Sequence, residues 1–482
     1  MSPMDAPGAL AAMHAGAFSS SSTVDQAGMH LGLAGALTPD GLVSDASFFH
    51  GFLAQPHVYA RGLLALAEIT ATRYFQYTPS HLRDPVFTAH GDRLRAEVFS
   101  ACNGVAARLD LHASAVDGGE IGRGTTNVDL GETMKAALAQ VRAQDLMHLD
   151  VGAGQVTVST LDSTATERKV EMPARWIPAF GNVAGIHRSF EKLAEYDATT
   201  ARRVLGLLPV SYRSGVDASW ISMHRRMPRL SERPGPGTVR IPGAHRLVAA
   251  RRLITHLRGM EVYGETGADR GVVVEFLLPG GRLSLGLTEQ SWRGFSGEGA
   301  LLVSLSAPQA AADADQLSTL LAFEPVIKVP RMMREAALPE QRVLDGLAVL
   351  AASGRVGWDL AEQAYYHREL PHDPSRIERD HPRVRSARRL VEQGAVHGHE
   401  GGRFWVESSQ QGENFEGSTP GPDGRSGYDV HLLGPGQDTC MCPWVSQEGL
   451  SRGPCKHILA ARIRDGDGID SVNGVARDAG PV

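Results

Sequence analysis

Four residues in the last eighth of the chain have the types and spacing to hold a metal ion: Cys440, Cys442, Cys455 and His457. They form C-x-C, twelve residues, then C-x-H, and take three of the protein's four cysteines. Three thiolates and one imidazole fill a tetrahedral shell for Zn²⁺ and leave no position for water, the donor count of a structural site. One structural Zn²⁺ per chain is the expected cofactor. Alternate residues of a strand share a face, so Cys440 and Cys442 can grip one ion from a strand or hairpin edge. Gly449, Gly453 and Pro454 let the chain turn back. Leu459 and Ile463 then mark one apolar face of a helix, with Cys455 and His457 at its first turn. Three thiolates on a dication leave one negative charge, which a helix N-terminus favours; Lys456 and Arg452 offset more of it.

Other candidates for chemistry are weaker. Cys102 lies in an apolar stretch where a lone cysteine reads as a small core residue, and no partnered histidine is identifiable. Arg123–Asp129 (RGTTNVD) is polar and contains glycine but lacks a phosphate-loop pattern. His367, His372, His381, His397 and His399 cluster along the sequence at spacings that fit no helix-face metal pair. Walker, Rossmann, kinase and G-x-S-x-G patterns are absent. The expectation is a protein without a catalytic residue set.

The pattern C-x-C, gap, C-x-H ahead of a helix resembles the SWIM-type zinc finger, with all four ligand positions matching. Beyond it, the chain resembles the stand-alone SWIM zinc finger proteins of actinobacterial type. The stretches that carry this are Phe48–Leu53 (FFHGFL), Ala71–Tyr74 (ATRY), Asp84–Val86 with Gly91–Leu94, Arg123–Asp129 and His367–Pro371 (HRELP). The resemblance implies a zinc-binding, non-enzymatic cytoplasmic adaptor. It also implies a MoxR-type AAA ATPase and a von Willebrand A-domain protein as partners, with DNA or protein as what the finger binds.

The elements that must position the ligands read as α+β and multidomain. With 482 residues, 42% hydrophobic and 21% charged, the chain is long enough for about three domains. Residues 1–46, rich in Ala, Gly and Ser and without Lys or Arg, read as weakly ordered and carry no secretory signal. No apolar run reaches membrane-spanning length, so a soluble, cytoplasmic protein is expected. Residues 47–230 read as an α+β domain, with strands over 86–109 and a helical stretch over 173–209. A Pro/Gly-rich segment, Ser231–Pro242, reads as a boundary or a long loop. A second α+β unit spans 240–335. It holds a basic amphipathic helix at 244–258, strands at 271–278 and 282–287 joined by Pro279-Gly280-Gly281, and a strand at Ala300–Leu305.

Residues 340–410 have the element order of a winged helix: helix 343–352, strand 355–360, helix 361–367, helix 382–393, and strands around a Gly-rich tip at 398–402. The finger follows at 428–465, and 466–482 forms a tail. The segment 340–465 is expected to form one lobe across the loop 412–427. Arg383, Arg385, Arg388 and Arg389 sit where such folds read a DNA groove, and Lys456, Arg462 and Arg464 extend the set. Residues 331–464 hold 17 Lys plus Arg against 18 Asp plus Glu, however, and DNA binding shows as a regional basic excess. The balance favours a solvated helix face and a protein partner over the nucleic-acid alternative. Trp444 and Val445, between the ligand pairs, are candidate protein contacts; the alternative packs them on the finger's own helix.

Overall fold

The structure is a computed structural model. It describes residues 47–74, 85–170, 172–173, 175–212, 216–267, 271–368, 370, 381–408, 417–421, 424–434 and 436–466, with the backbone of 467–475. Before residue 47 it describes the backbone of five short strands, within 13–43. The rest of the 1–46 segment, His372, and residues 412–416 and 422–423 of the expected loop lie outside the described residues.

An eight-stranded antiparallel sheet organises the N-terminal two-thirds. Its order is Arg123–Asn127, Val86–His90, Arg93–Phe99, Val105–His112, Gly281–Leu287, Val272–Leu278, Gly259–Gly264 and Glu191–Asp197. The central pair runs from Gly281 opposite Leu111 to Leu287 opposite Val105. One sheet therefore crosses the boundary expected at 231–242, because these strands are buried and need partners on both edges. A five-stranded sheet pairs Val116–Ile121, Ser47–Leu53, His148–Gly152, Gln155–Ser159 and Thr164–Arg168 in that order. The hairpin through Pro279–Gly280 is as expected: Gly280 has φ 74°, and a Cβ there would lie 2.7 Å from that of Ala115.

Several elements differ from the periodicity reading. The stretch 173–209 is two helices, Trp176–His187 and Ala198–Leu207, separated by the strand Glu191–Asp197. That strand is a sheet edge and shows little alternation; Asp197 then caps the second helix by accepting the Thr200 N–H at 2.7 Å. Ala244–His256 is a 3₁₀ helix. Its Arg246 is not on a polar face but fully buried, donating to the carbonyls of Gly104, Pro242 and Thr288. The strand expected at Ala300–Leu305 is a single helical turn, Leu302–Leu305, with both end residues buried.

The winged-helix order is corrected at one element. Residues 361–367 are not a helix: Ala364–His367 is a strand paired with Val356–Asp359. Asp359 accepts the Ala361 N–H at 3.2 Å, making a turn, and the aromatic run Tyr365-Tyr366 favours a buried strand. The helix Pro382–Glu392 and the hairpin Val396–His399 with Arg403–Glu407 are present. Pro382 opens that helix and Gly394, at φ 68°, ends it.

The hairpin 356–367 docks on the large sheet through buried charges. Asp359, fully buried, meets Arg95 at 2.8 Å, Arg282 at 2.6 Å and Arg108 at 3.4 Å. Arg368 pairs with Glu97 at 2.6 Å, and Tyr366 lies under the Arg95 guanidinium at 4.0 Å. A second core then joins 301–463, uniting Val384, Leu390, Phe404 and Val430 with the three cysteines and Ile458–Ala461. The same cluster also takes in Ala184, Phe190, Tyr263 and Val273, so it extends well beyond 340–465.

Candidate metal centre

Each of the four donors is placed by a different local device. Cys440 ends the strand Thr439–Cys440, opposite Val430 of Ser426–His431. Cys442 is extended, at φ −70° and ψ 155°, and stands immediately before the helix Pro443–Glu448. The two cysteines thus come from a strand end and a helix start, not from one strand. The chain turns back through Gly449 and Gly453, both at positive φ. Gly453 is required twice over, since a Cβ there would lie 2.3 Å from the Gly299 carbonyl oxygen. Cys455 precedes the helix Lys456–Val475, and His457 lies in its first turn, as expected.

The donor atoms all lie within 4.8 Å of one another, and every donor residue is buried. The Cys440 Sγ to His457 Nδ1 separation is 3.8 Å. A tetrahedron with metal–sulfur bonds of about 2.3 Å has edges of about 3.8 Å, so the spacing suits one ion. The Ile458 N–H points at Cys455 Sγ at 3.4 Å, a helix-terminal donor toward a thiolate. The Tyr428 ring packs on the His457 ring at 4.7 Å between centroids. Among the described residues, this is the only such His/Cys/carboxylate cluster. The four residues can hold one metal ion.

Ion pairs and stacking hold the surrounding loops. Asp438 accepts the N–H groups of Leu433 and Gly434 at 3.0 and 3.1 Å and takes Arg462 Nε at 2.6 Å. This ties the approach to Cys440 onto the helix that carries His457. Arg383 Nη1 donates to the carbonyls of Arg452 and Pro454 at 2.8 and 3.1 Å. Its guanidinium lies 4.6 Å from the Trp444 ring centre, with Arg452 at 5.4 Å. Burial, with Arg452 close by, pushes the Arg383 pKa down to about 10.

The structure therefore separates the arginines that the sequence groups together. Arg383, Arg388 and Arg462 bind protein groups, Arg388 through the Leu305 carbonyl at 3.3 Å. Arg385 and Arg389 are exposed, as is Arg464. Lys456 lines a cavity of about 340 Å³ together with Cys442, Cys455 and His457. Trp444 and Val445 are half-buried against the second core, not exposed, and the Trp444 Nε1–H reaches the Gly453 carbonyl at 3.4 Å.

Cys102 lies apart from this site, in a turn after Arg93–Phe99 instead of in a strand, 3.4 Å from Ser100 Oγ. His367 is a core residue whose Nδ1 accepts the Phe323 N–H at 2.9 Å; burial pushes its pKa down to about 3. Sequence reasoning missed the buried charges around Asp359. Their signal was present: Arg93, Arg95 and Glu97, then Arg108 and Asp110, recur every second residue in otherwise apolar strands.

No family model and no curated protein matches this chain. Among solved structures it aligns with proliferating cellular nuclear antigen from Entamoeba histolytica, at 10% identity and a TM-score of 0.33, over 50% of this chain and 99% of that one. It also aligns with the PCNA2–PCNA3 complex from Sulfolobus tokodaii, at 13% identity and a TM-score of 0.35, over 50% and 98%. At these scores the alignments assign neither fold nor function to this chain.

Proposed function

We propose that this protein is a non-enzymatic, protein-binding scaffold whose C-terminal lobe is closed by one structural zinc ion in a SWIM-type finger. The observation that carries the reading is the set Cys440, Cys442, Cys455 and His457, four buried donors within one tetrahedral reach. The chemistry of the set, three thiolates and one imidazole, suits Zn²⁺ and leaves no coordination position for a substrate or water. When bound, the ion supplies a cross-link between the strand end at Cys440 and the helix carrying His457. The helix Pro382–Glu392 and its hairpin act as the wall against which the finger rests. The commitment of Arg383, Arg388 and Arg462 to protein groups supports protein over nucleic acid as partner. No described helix is long and apolar enough to cross a membrane. The family resemblance adds a MoxR-type ATPase and a von Willebrand A-domain protein as partners to test.

The experiment pairs affinity capture with a salt titration. Wild type and Cys455→Ser are used as bait in extract from the source cell, and each is titrated with non-specific duplex DNA. Partners recovered by wild type and lost with Cys455→Ser are expected, with weak DNA binding at physiological salt. Tight DNA binding with a steep negative salt slope would overturn the reading.

A further inference from the structure

A concentration of positive charge lies away from the finger. Residues 202–233 hold seven arginines against Asp217 and Glu232, in a chain of net charge −6. The strands Ala218–His224 and Met227–Ser231 form a hairpin whose turn is Arg225-Arg226. Both turn residues have positive φ, 47° and 63°. A two-residue turn of that kind favours Asn-Gly, and side chains with a Cβ are strained in it. Strain of this sort is kept where the side chains have a use.

The arginines are also available. Arg203, Arg225, Arg226, Arg229 and Arg233 are exposed, and none forms a salt bridge among the described residues, while Arg202, also exposed, donates to the Leu257 carbonyl at 3.0 Å. Arg203 Nη1 touches Met227 Sδ at 2.9 Å, which joins the helix Ala198–Leu207 to the hairpin. Large apolar side chains stand between the charges: Leu207, Val210, Tyr212, Met223 and Met227 are 46 to 58% exposed. Beside them is a cavity of about 210 Å³ whose apolar wall is Leu207, Pro209, Val216 and Leu230, with three serines, His245 and one carboxylate, Glu232, completing it.

We propose that this hairpin and the adjoining helix end form a docking surface for an acidic polypeptide segment bearing an apolar anchor. The charge asks for carboxylates. The cavity asks for a side chain to fill it, which neither a phosphate backbone nor a lipid headgroup provides. Met, Tyr and Arg are also the residues enriched in protein interfaces. The inference rests on the reading of the chain as a protein-binding scaffold and gives that scaffold a second surface.

The test uses the full-length protein and fluorescence anisotropy. The probe is a fluorescein-labelled peptide of alternating glutamate and leucine, with its lysine–leucine analogue as control. The variant Arg225→Asn/Arg226→Gly/Arg229→Gln relieves the strained turn while removing three charges. It is expected to melt at the wild-type temperature or higher, yet to bind the acidic peptide at least about tenfold more weakly. Equal binding of the two peptides, or acidic-peptide binding that survives in the variant, would overturn the proposal. So would tighter binding of duplex DNA or phosphatidylserine vesicles that the variant abolishes. If the variant captures the same cellular partners as wild type while Cys455→Ser captures none, the scaffold reading stands and the second surface falls.

Discussion

The finger and the charge lattice around Asp359 both tie separate elements together, and they do so by opposite means. The finger gathers four donors from a stretch of eighteen residues around one expected ion. The lattice gathers Arg95, Arg108, Arg282 and Asp359 from 265 residues of chain and needs no ion. A metal cross-link concentrates its free energy in one removable object. A buried salt-bridge lattice spreads it over partners that each become a liability if one is lost. The C-terminal lobe should therefore respond to chelation as a unit, and the large sheet should not.

The largest expected effect is the loss of metal. Structural zinc contributes on the order of 10 kcal/mol or more to folding of a small site. Chelation, or Cys442→Ser, is expected to unfold 426–466 while the sheet strands 86–112 and 272–287 keep their hydrogen-exchange protection. Loss of protection in both regions would mean that the two are not separable.

Next comes Asp359→Ala, which strips the shared carboxylate from Arg95 and Arg282. Removing one partner of a buried pair costs about 3–5 kcal/mol. A clear drop in melting temperature with zinc content unchanged is expected. Loss of zinc in this variant would tie the lattice to the finger.

Acid should separate the regions in order. Zinc needs deprotonated ligands, so it leaves first as pH falls. The Asp110 and Asp359 carboxyls are held low by Arg108, Arg95 and Arg282, against the opposing effect of burial. Their stabilisation is complete above the ordinary aspartate range and is lost progressively as pH falls from that range down through their depressed folded values. His187 and His367, both pushed down to about 3 by burial, act earlier. An unfolded histidine takes a proton from about pH 6.5 downward and these folded ones only near 3, so stability declines across that window. Zinc release at a higher pH than loss of the sheet's circular dichroism is the expected sequence, and the reverse order would contradict it.

The smallest effect is at Trp444. Trp444→Ala removes the aromatic surface beside Arg383 and Arg452, a contact worth about 0.5–1 kcal/mol per cation. It should weaken zinc affinity slightly and leave stoichiometry at one. Trp444 is half-buried in this stack, so a zinc affinity equal to wild type in this variant would contradict the contact.

What was legible in the sequence follows from what is local. The four donors, the turn at Gly280, and the helix bounded by Pro382 and Gly394 depend on neighbours a few residues away, and spacing shows them. The strand at Ala364–His367 does not, because it is decided by Val356–Asp359 opposite and by the Arg-rich sheet beneath. The single sheet with strands on both sides of 231–242 was hidden for the same reason: the pairing of Leu111 with Gly281 is set by tertiary packing. The charge of the basic hairpin at 218–231 is written in the sequence, but its exposure is set by the fold.

The central claim is that Cys440, Cys442, Cys455 and His457 form one closed structural zinc site. Elemental analysis of the metal-replete full-length protein, beside Cys455→Ser prepared identically, tests it directly. One zinc per chain is expected in wild type, with a large loss in the variant. Less than half an equivalent in wild type, or equal zinc in both, would contradict it.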